Sequence, residues 1–230
     1  MVSTTRPHLR RTARPVTRIK ICGLTRRDDA LRAADLGADA LGFVFAPRSR
    51  RRADPDLVAR LVEELPPFVT VVGVFMDQPA DEVRSVAAAC RLDVVQLHGT
   101  ENAAYVEALG LKVLKAVALA SCDDLALLTA YPGLRSFLLD AAVGGERGGT
   151  GHTFDWSWAV EAKSYGNIVL AGGLHPGNVA EAVDFVRPWG VDVCSGTEGA
   201  PGVKDPEKLV QFVCRVRAAD ERLPPTETIL

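Results

Sequence analysis

A chain of 230 residues, 47% of them hydrophobic, is long enough for one well-packed domain or two small ones. With a formal net charge of −2 nothing asks for nucleic acid or an anionic membrane surface, which would call for a clustered basic excess, and no apolar run is long enough to span a bilayer. Cysteines at 22, 90, 122, 194 and 214 are odd in number and widely spaced, with no CxxC, so neither a zinc site nor a disulfide framework is expected and a reducing cytoplasm is the expected home.

Residues 1–17 carry four arginines, no acid and two prolines. They show no apolar stripe, and a disordered basic extension is expected there rather than a transit peptide. One pattern then repeats: a short aliphatic run ends at small or polar residues and an alanine-rich helical stretch follows. The expected strands are Arg18–Cys22, Ala40–Phe45, Thr70–Phe75, Asp93–Leu97, Lys112–Val117, Ser136–Leu139, Asn167–Leu170 and Val191–Cys194. The expected helices are Arg26–Leu36, ended by Gly37, then Pro55–Leu65, stopped by Pro66 and Pro67, and Pro79–Cys90. Glu101–Leu109, Asp123–Tyr131, Asp155–Lys163, Pro176–Val186 and Pro206–Arg217 complete the set. Residues 219–230 are expected as a ragged tail. Eight such units in about 200 residues is the count of a (β/α)₈ barrel, an α/β fold with a closed parallel sheet, here placed at 18–218. Two smaller α/β domains are the alternative. The only candidate linker is the glycine-rich AAVGGERGGTGHT after Asp140, and its glycines equally suit a mobile active-site loop.

In that fold the active site lies at the C-terminal ends of the strands. The rule selects Cys22 on strand one, the arginine-rich loop after strand two, Gln96 and His98 on strand four, and Asp140 on strand six. It also selects Gly172 and Gly173 after strand seven and Ser195, Gly196 and Thr197 after strand eight. The last two groups are small turns with exposed backbone N–H groups, at the habitual phosphate position of this fold. The alternative is that their glycines merely close tight turns. Arg48, Arg50, Arg51 and Arg52 read as a solvated run, except that their place at a strand end lets at least one of them clamp a carboxylate. Asp140, ending the apolar FLLD, either caps a turn or carries a proton, since partial burial raises a carboxyl's pKa toward a useful value.

One thiol and one carboxyl flanking a phosphate site point to proton shuttling rather than nucleophilic catalysis. Free cysteine is otherwise most often a small buried hydrophobe. Lys20 lies one pleat below Cys22, and an ammonium there favours the thiolate. Strand eight neighbours strand one in a closed barrel, so Lys20 is expected to pair with Asp192, because a lone buried lysine is costly.

Taken together, KICGLT, GADALGFVF, VGVF, VVQLHG, LLD, GGTGHTFDW, LAGGLHPGNV and VDVCSGTEGAPGVKD resemble the phosphoribosylanthranilate isomerase family of tryptophan biosynthesis, over about residues 19–212. The resemblance implies a single (β/α)₈ barrel that carries out an Amadori rearrangement of N-(5-phosphoribosyl)anthranilate. It also implies Cys22 as general base and Asp140 as general acid. Arg51 would meet the anthranilate carboxylate, with Gln96 and His98 lining the substrate site. Gly172, Gly173, Ser195 and Gly196 would hold the phosphate. No metal or organic cofactor is implied, nor any nucleic-acid or membrane partner, and the chain would act as a monomer or homodimer. Cys194 departs from the family pattern, in which a serine or other small residue is expected, and Thr197 stands where an aliphatic residue is common. The rivals are a histidine-pathway isomerase with an aspartate at the end of strand one, where this chain has Cys22, a broad-substrate enzyme serving both pathways, and a non-catalytic phosphate-binding barrel.

Overall fold

Eight short aliphatic runs become eight parallel strands: β1 (Arg18–Ile21), β2 (Ala40–Val44), β3 (Thr70–Phe75), β4 (Val94–Leu97), β5 (Val113–Leu119), β6 (Ser136–Val143), β7 (Asn167–Leu170) and β8 (Gly190–Val193). The structure, a computed structural model, describes residues 10–13, 16–143, 146–147, 154–224 and 226–229. Each strand pairs with its sequence neighbour, and β8 returns to β1, so the sheet closes.

Helices α1 (Arg27–Asp35), α2 (Pro55–Val62), α3 (Ala80–Ala89), α4 (Ala103–Leu109), α5 (Trp156–Ala162), α6 (Val179–Val186) and α7 (Pro206–Arg222) run between and after the strands. Local chemistry sets their starts. Asp54 and Asp205 cap α2 and α7 by accepting from backbone N–H groups, and a proline follows each at the first helical position, where no N–H is needed. Asn102 and Asp155 cap α4 and α5 in the same way.

The structure departs from the sequence expectations at several edges. The fifth connection is a 3₁₀ helix, Cys122–Ala130, rather than an α-helix. Its buried Leu125 and Leu128 are three apart, the spacing that eclipses in a 3₁₀ turn. Helix α2 stops at Val62, short of the expected Leu65. Helix α6 begins at Val179, not Pro176, because Asn178 folds back to accept from the His175 N–H at 2.8 Å. Strand β6 runs past Asp140 to Val143, since Ala142 and Val143 pair antiparallel with Arg147 and Glu146. The rest of the glycine-rich loop, 144–145 and 148–153, lies outside the described residues.

At both ends, contacts reach beyond the bounds expected from the sequence. Thr17 is buried and bonds Asp220 through its N–H (3.0 Å) and its hydroxyl (2.6 Å), and helix α7 continues to Arg222 with Ala219 inside the core. Beyond this junction Arg10–Ala13 pairs antiparallel with Thr226–Ile229. The remaining terminal residues lie outside the described set.

Strand alternation divides the buried residues into two layers. Outward side chains, among them Ile19, Ile21, Leu41, Phe43, Phe75, Phe137 and Leu170, pack against the helices in one large cluster. Inward side chains form a small one of Leu114, Ala116, Leu138, Val169 and Ala171, with Val94 beside it. That inner cluster belongs to β4–β7. The β8–β1 side of the interior is charged instead. Lys20 and Asp192 are register partners there, and their side chains meet at 2.7 Å with both residues buried. This is the ion pair expected from the sequence. Gly42 on β2 makes room for it: a Cβ at that position would fall 3.0 Å from Lys20 Nζ and 2.8 Å from Cys22 Sγ.

A buried pair is worth little against an apolar replacement, but breaking it leaves an uncompensated charge. Lys20→Met is therefore expected to cost about 3–5 kcal/mol in urea unfolding, and Lys20→Met with Asp192→Leu to recover most of that loss. Equal losses in the single and double variants would show that the pair is not the source.

Candidate active site

Cys22 sits immediately after β1, at the C-terminal mouth of the barrel, buried on the same inward face as Lys20. Its backbone N–H bonds the Val193 carbonyl at 2.8 Å, which brings it level with Cys194 on the neighbouring strand. The thiol's pKa is lowered to about 7. A hydrogen bond from Cys194 is the largest cause; burial pushes the other way, and the Lys20 ammonium adds to the lowering. Burial alone would lower the Lys20 pKa, but Asp192 and Cys22 together outweigh it, so the ammonium is held charged well above its usual range.

Asp140 lies within β6, also buried at the mouth. Burial raises its carboxyl to about 6, against a partial lowering by the Ala141 N–H, which donates to Oδ1 at 2.8 Å. Asp192 and Lys20 act on it in opposite directions from across the interior. His98 Nε2 stands 3.5 Å from Asp140 Oδ2, and His98 Nδ1 stands 3.5 Å from Gln96 Nε2. Gln96 is 1% exposed, and its Oε1 has no hydrogen-bond partner among the described residues. A buried amide oxygen normally finds a donor, so Oε1 is a ready acceptor for a ligand hydroxyl.

The loop bearing His98 is held from behind by residues the sequence reading did not single out. Lys115, a lysine in the otherwise apolar β5, donates to the carbonyls of Leu97 (3.2 Å) and Gly99 (2.8 Å) and meets Glu101 at 3.1 Å. Glu101 in turn accepts from the N–H groups of Gly99 and Asp77. The one available signal was a charged residue inside an aliphatic strand.

After β7 and β8 the expected small-residue turns lie together. Gly172 and Gly173 both take positive φ, +78° and +63°, which only glycine adopts cheaply. Asn178 Nδ2 braces that turn on the Gly173 carbonyl at 3.0 Å. Gly196, in the 3₁₀ turn Ser195–Thr197, lies so close to the Leu174 carbonyl and His175 that no side chain fits. The two turns therefore share one surface, with backbone N–H groups of the kind that bind a dianion.

Of the four loop arginines, Arg48, Arg50 and Arg52 are exposed and Arg51 turns inward. Its Nε and Nη2 each bond a Glu198 oxygen at 2.8 Å in a bidentate pair. Lys204 supports the pair from below, 3.7 Å from Glu198 Oε1 and donating to the Cys194 carbonyl at 2.8 Å. Glu198 and Lys204 face each other across a short hairpin turned at Pro201–Gly202. That Pro–Gly pair was the only sequence sign of their meeting. The mouth thus assembles a lowered thiol, a raised carboxyl, a backbone anion cradle and a guanidinium. This set suits proton transfer at the carbon of a phosphorylated substrate that also carries a carboxylate.

A family model described as N-(5'phosphoribosyl)anthranilate (PRA) isomerase matches residues 19–215. The N-(5'-phosphoribosyl)anthranilate isomerase of Citrifermentans bemidjiense is 49% identical over 202 residues, covering 88% of this chain and 98% of its own. The crystal structure of phosphoribosyl anthranilate isomerase from Thermotoga maritima superposes with a TM-score of 0.83 at 40% identity, over 88% of this chain and all of that one. The isomerase solved with reduced 1-(o-carboxyphenylamino)-1-deoxyribulose 5-phosphate gives 0.79 at 37% identity, with the same coverage.

A carboxyl raised from 3.8 to about 6 favours folding while it is protonated. Its contribution is fully present below the unfolded value and is lost as pH rises through about 6. Asp140→Asn removes the buried charge. It is expected to stabilise the fold by up to about 3 kcal/mol at pH 8 and to change it little near pH 4. The check is the difference in Tm between variant and parent across that range; a difference independent of pH would contradict it.

Proposed function

The chain belongs to the N-(5'-phosphoribosyl)anthranilate isomerase family, and we propose which of its residues carry out the family's reaction. It is an isomerase of tryptophan biosynthesis that converts the aminoaldose N-(5-phosphoribosyl)anthranilate to 1-(2-carboxyphenylamino)-1-deoxyribulose 5-phosphate. The Amadori rearrangement needs an acid to open the ribose ring and a base to move one carbon-bound proton. The observation that carries our assignment is the pair at the mouth, a buried thiol lowered to about 7 and a buried carboxyl raised to about 6. Both lie where proton transfer at neutral pH is efficient.

In this reading protonated Asp140 gives its proton to the furanose oxygen. The C1′–O bond breaks as the anilino nitrogen's electron pair forms the protonated Schiff base. Cys22, as the thiolate, removes the C2′ proton. The electrons of that C–H bond become the C1′=C2′ double bond and neutralise the nitrogen, giving an enolamine. Its C2′ hydroxyl then loses a proton and C1′ gains one, leaving the ketone. His98 orients Asp140, and Gln96 Oε1 accepts from a ribose hydroxyl. The turns at Gly172, Gly173, Ser195 and Gly196 hold the phosphate. Arg51 meets the anthranilate carboxylate with the N–H groups that Glu198 leaves unused, and its inward turn supports choosing it over Arg48, Arg50 and Arg52.

We read the chain as one barrel domain with its terminal segments outside the barrel. Its five cysteines are all free thiols, in keeping with a cytoplasmic setting, and among the described residues no helix is long and apolar enough to cross a membrane. A structure of monomers generated from the dimeric Thermotoga maritima enzyme shows that relative to be a dimer. At the N-terminal end of this barrel Phe68 is 95% exposed and, with Trp189, lines a cavity of about 320 Å³ whose wall also carries Arg18, Asp39 and Lys112; these exposed aromatics favour the homodimer over the monomer.

Two measurements test the assignment. Cys22→Ala and Asp140→Asn are each expected to lower kcat by about 10²–10⁴, followed by the fall in anthranilate fluorescence with freshly generated substrate. Near-parental turnover in either variant removes that residue from the mechanism. The parent's kcat/KM is expected as a narrow bell with limbs near 6 and 7, since the productive form holds Cys22 deprotonated and Asp140 protonated.

A further inference from the structure

Cys194 takes no part in the reaction as assigned above. It follows β8 just as Cys22 follows β1. The register Lys20↔Asp192 and Ile21↔Val193 carries the two cysteines to the mouth side by side. Gly23 leaves the room that Cys194 occupies: a Cβ there would fall 2.6 Å from Cys194 Sγ. On its other side Cys194 Sγ stands 3.9 Å from Glu198 Oε1. Glu198 is itself immobilised by Arg51, by Lys204 and by the Gly202 N–H at 3.2 Å. The thiol of Cys194 therefore lies between Cys22, its neighbour across the β8–β1 register, and an anchored carboxylate.

We propose that Cys194 is a positioning residue for the reaction's base: its S–H is donated to Cys22 Sγ while Cys22 is the thiolate, and turns to Glu198 Oε1 while Cys22 holds the substrate's proton. The inference rests on Cys22 being the base. The thiolate is one of the few anions in a nearly closed interior, and a hydrogen bond aimed at it acts at full strength there. The donor keeps its proton because the neighbouring thiolate and burial push the Cys194 thiol well above its usual range.

The other charged groups facing this pair are fixed. Lys20 lies below Cys22 on β1, and Asp192 neutralises it from β8. Arg51 reaches in from the loop after β2, Glu198 and Lys204 close the far side of Cys194, and Asp140 faces the interior from β6. Lys20 is already shared with Asp192, which leaves Cys194, beside Cys22 on the neighbouring strand, as a second donor to it. A hydroxyl at 194 would serve the same purpose, and an alkyl group would not.

The test uses the full-length protein with Cys194→Ala and Cys194→Ser. Two profiles are measured against pH: kcat/KM, and the rate at which iodoacetamide alkylates Cys22, read by mass spectrometry of its peptide. Cys194→Ala is expected to raise the alkylation midpoint by about one unit or more. It should lower kcat/KM about tenfold at pH 6, with the gap closing toward alkaline pH, because one pKa unit is a factor of about ten in thiolate at acidic pH. Cys194→Ser should restore both profiles. Cys194→Val, which fills the space without a donor, repeats the test if the alanine variant folds poorly. An unmoved midpoint in Cys194→Ala, or a loss uniform across pH and shared by Cys194→Ser, overturns the proposal and leaves Cys194 as packing. Cys22→Ala separates the two readings: full activity there overturns Cys22 as base, whereas an inactive Cys22→Ala beside an unshifted Cys194→Ala overturns only the role of Cys194.

Discussion

The interior of this barrel depends on one cross-strand contact, the ion pair between Lys20 and Asp192. Moving either charge from water into the interior costs several kcal/mol, and only the partner's charge and hydrogen bond offset it. The pair exists because β1 and β8 are adjacent in register once the sheet closes, and because Gly42 keeps a side chain out of the space. From there it adds to the electrostatics of the mouth. The ammonium favours the thiolate of Cys22 directly above it, and ammonium and carboxylate act with opposite sign on Asp140.

Two unlike groups are brought to neighbouring pKa values by different routes. Hydrogen bonding and a nearby cation bring the thiol down, while desolvation takes the carboxyl up. The outcome suits a reaction that needs an acid and a base at the same pH, although the form with the thiol ionised and the carboxyl protonated is a minority of the enzyme at any moment. The carboxyl's shift has a structural counterpart: an ionised Asp140 opposes folding. The arrangement at the mouth is thus sustained by stability gained elsewhere.

That stability resides in the outer layer. The contacts between strands and helices form one large aliphatic and aromatic cluster, whereas the barrel interior contributes a small one confined to β4–β7. The mouth can therefore hold glycines in left-handed conformations, a buried amide oxygen without a partner among the described residues and an arginine committed to Glu198. Each is tied to the scaffold by a second contact: Asn178 on the Gly173 carbonyl, Lys115 and Glu101 behind the His98 loop, and Lys204 beneath Glu198. These braces keep the mouth's geometry from relaxing.

Much of this was legible in the chain itself. The strand–helix repeat specified a closed barrel. Barrel closure then made Cys22, Asp140, His98 and the two glycine turns neighbours, and it implied the partner of Lys20 before any coordinates. Such features are local: side-chain alternation, capping residues and positive-φ glycines act within a few residues of their own positions. The tertiary structure decided what depends on contacts between distant segments. It made the fifth helix a 3₁₀ turn, tied Thr17 to Asp220 near the chain's two ends, turned Arg51 rather than its three neighbours inward to Glu198, and set Cys194 beside Cys22. No periodicity encodes these contacts, because each depends on angstrom-level distances fixed only when eight strands close and every helix has found its groove.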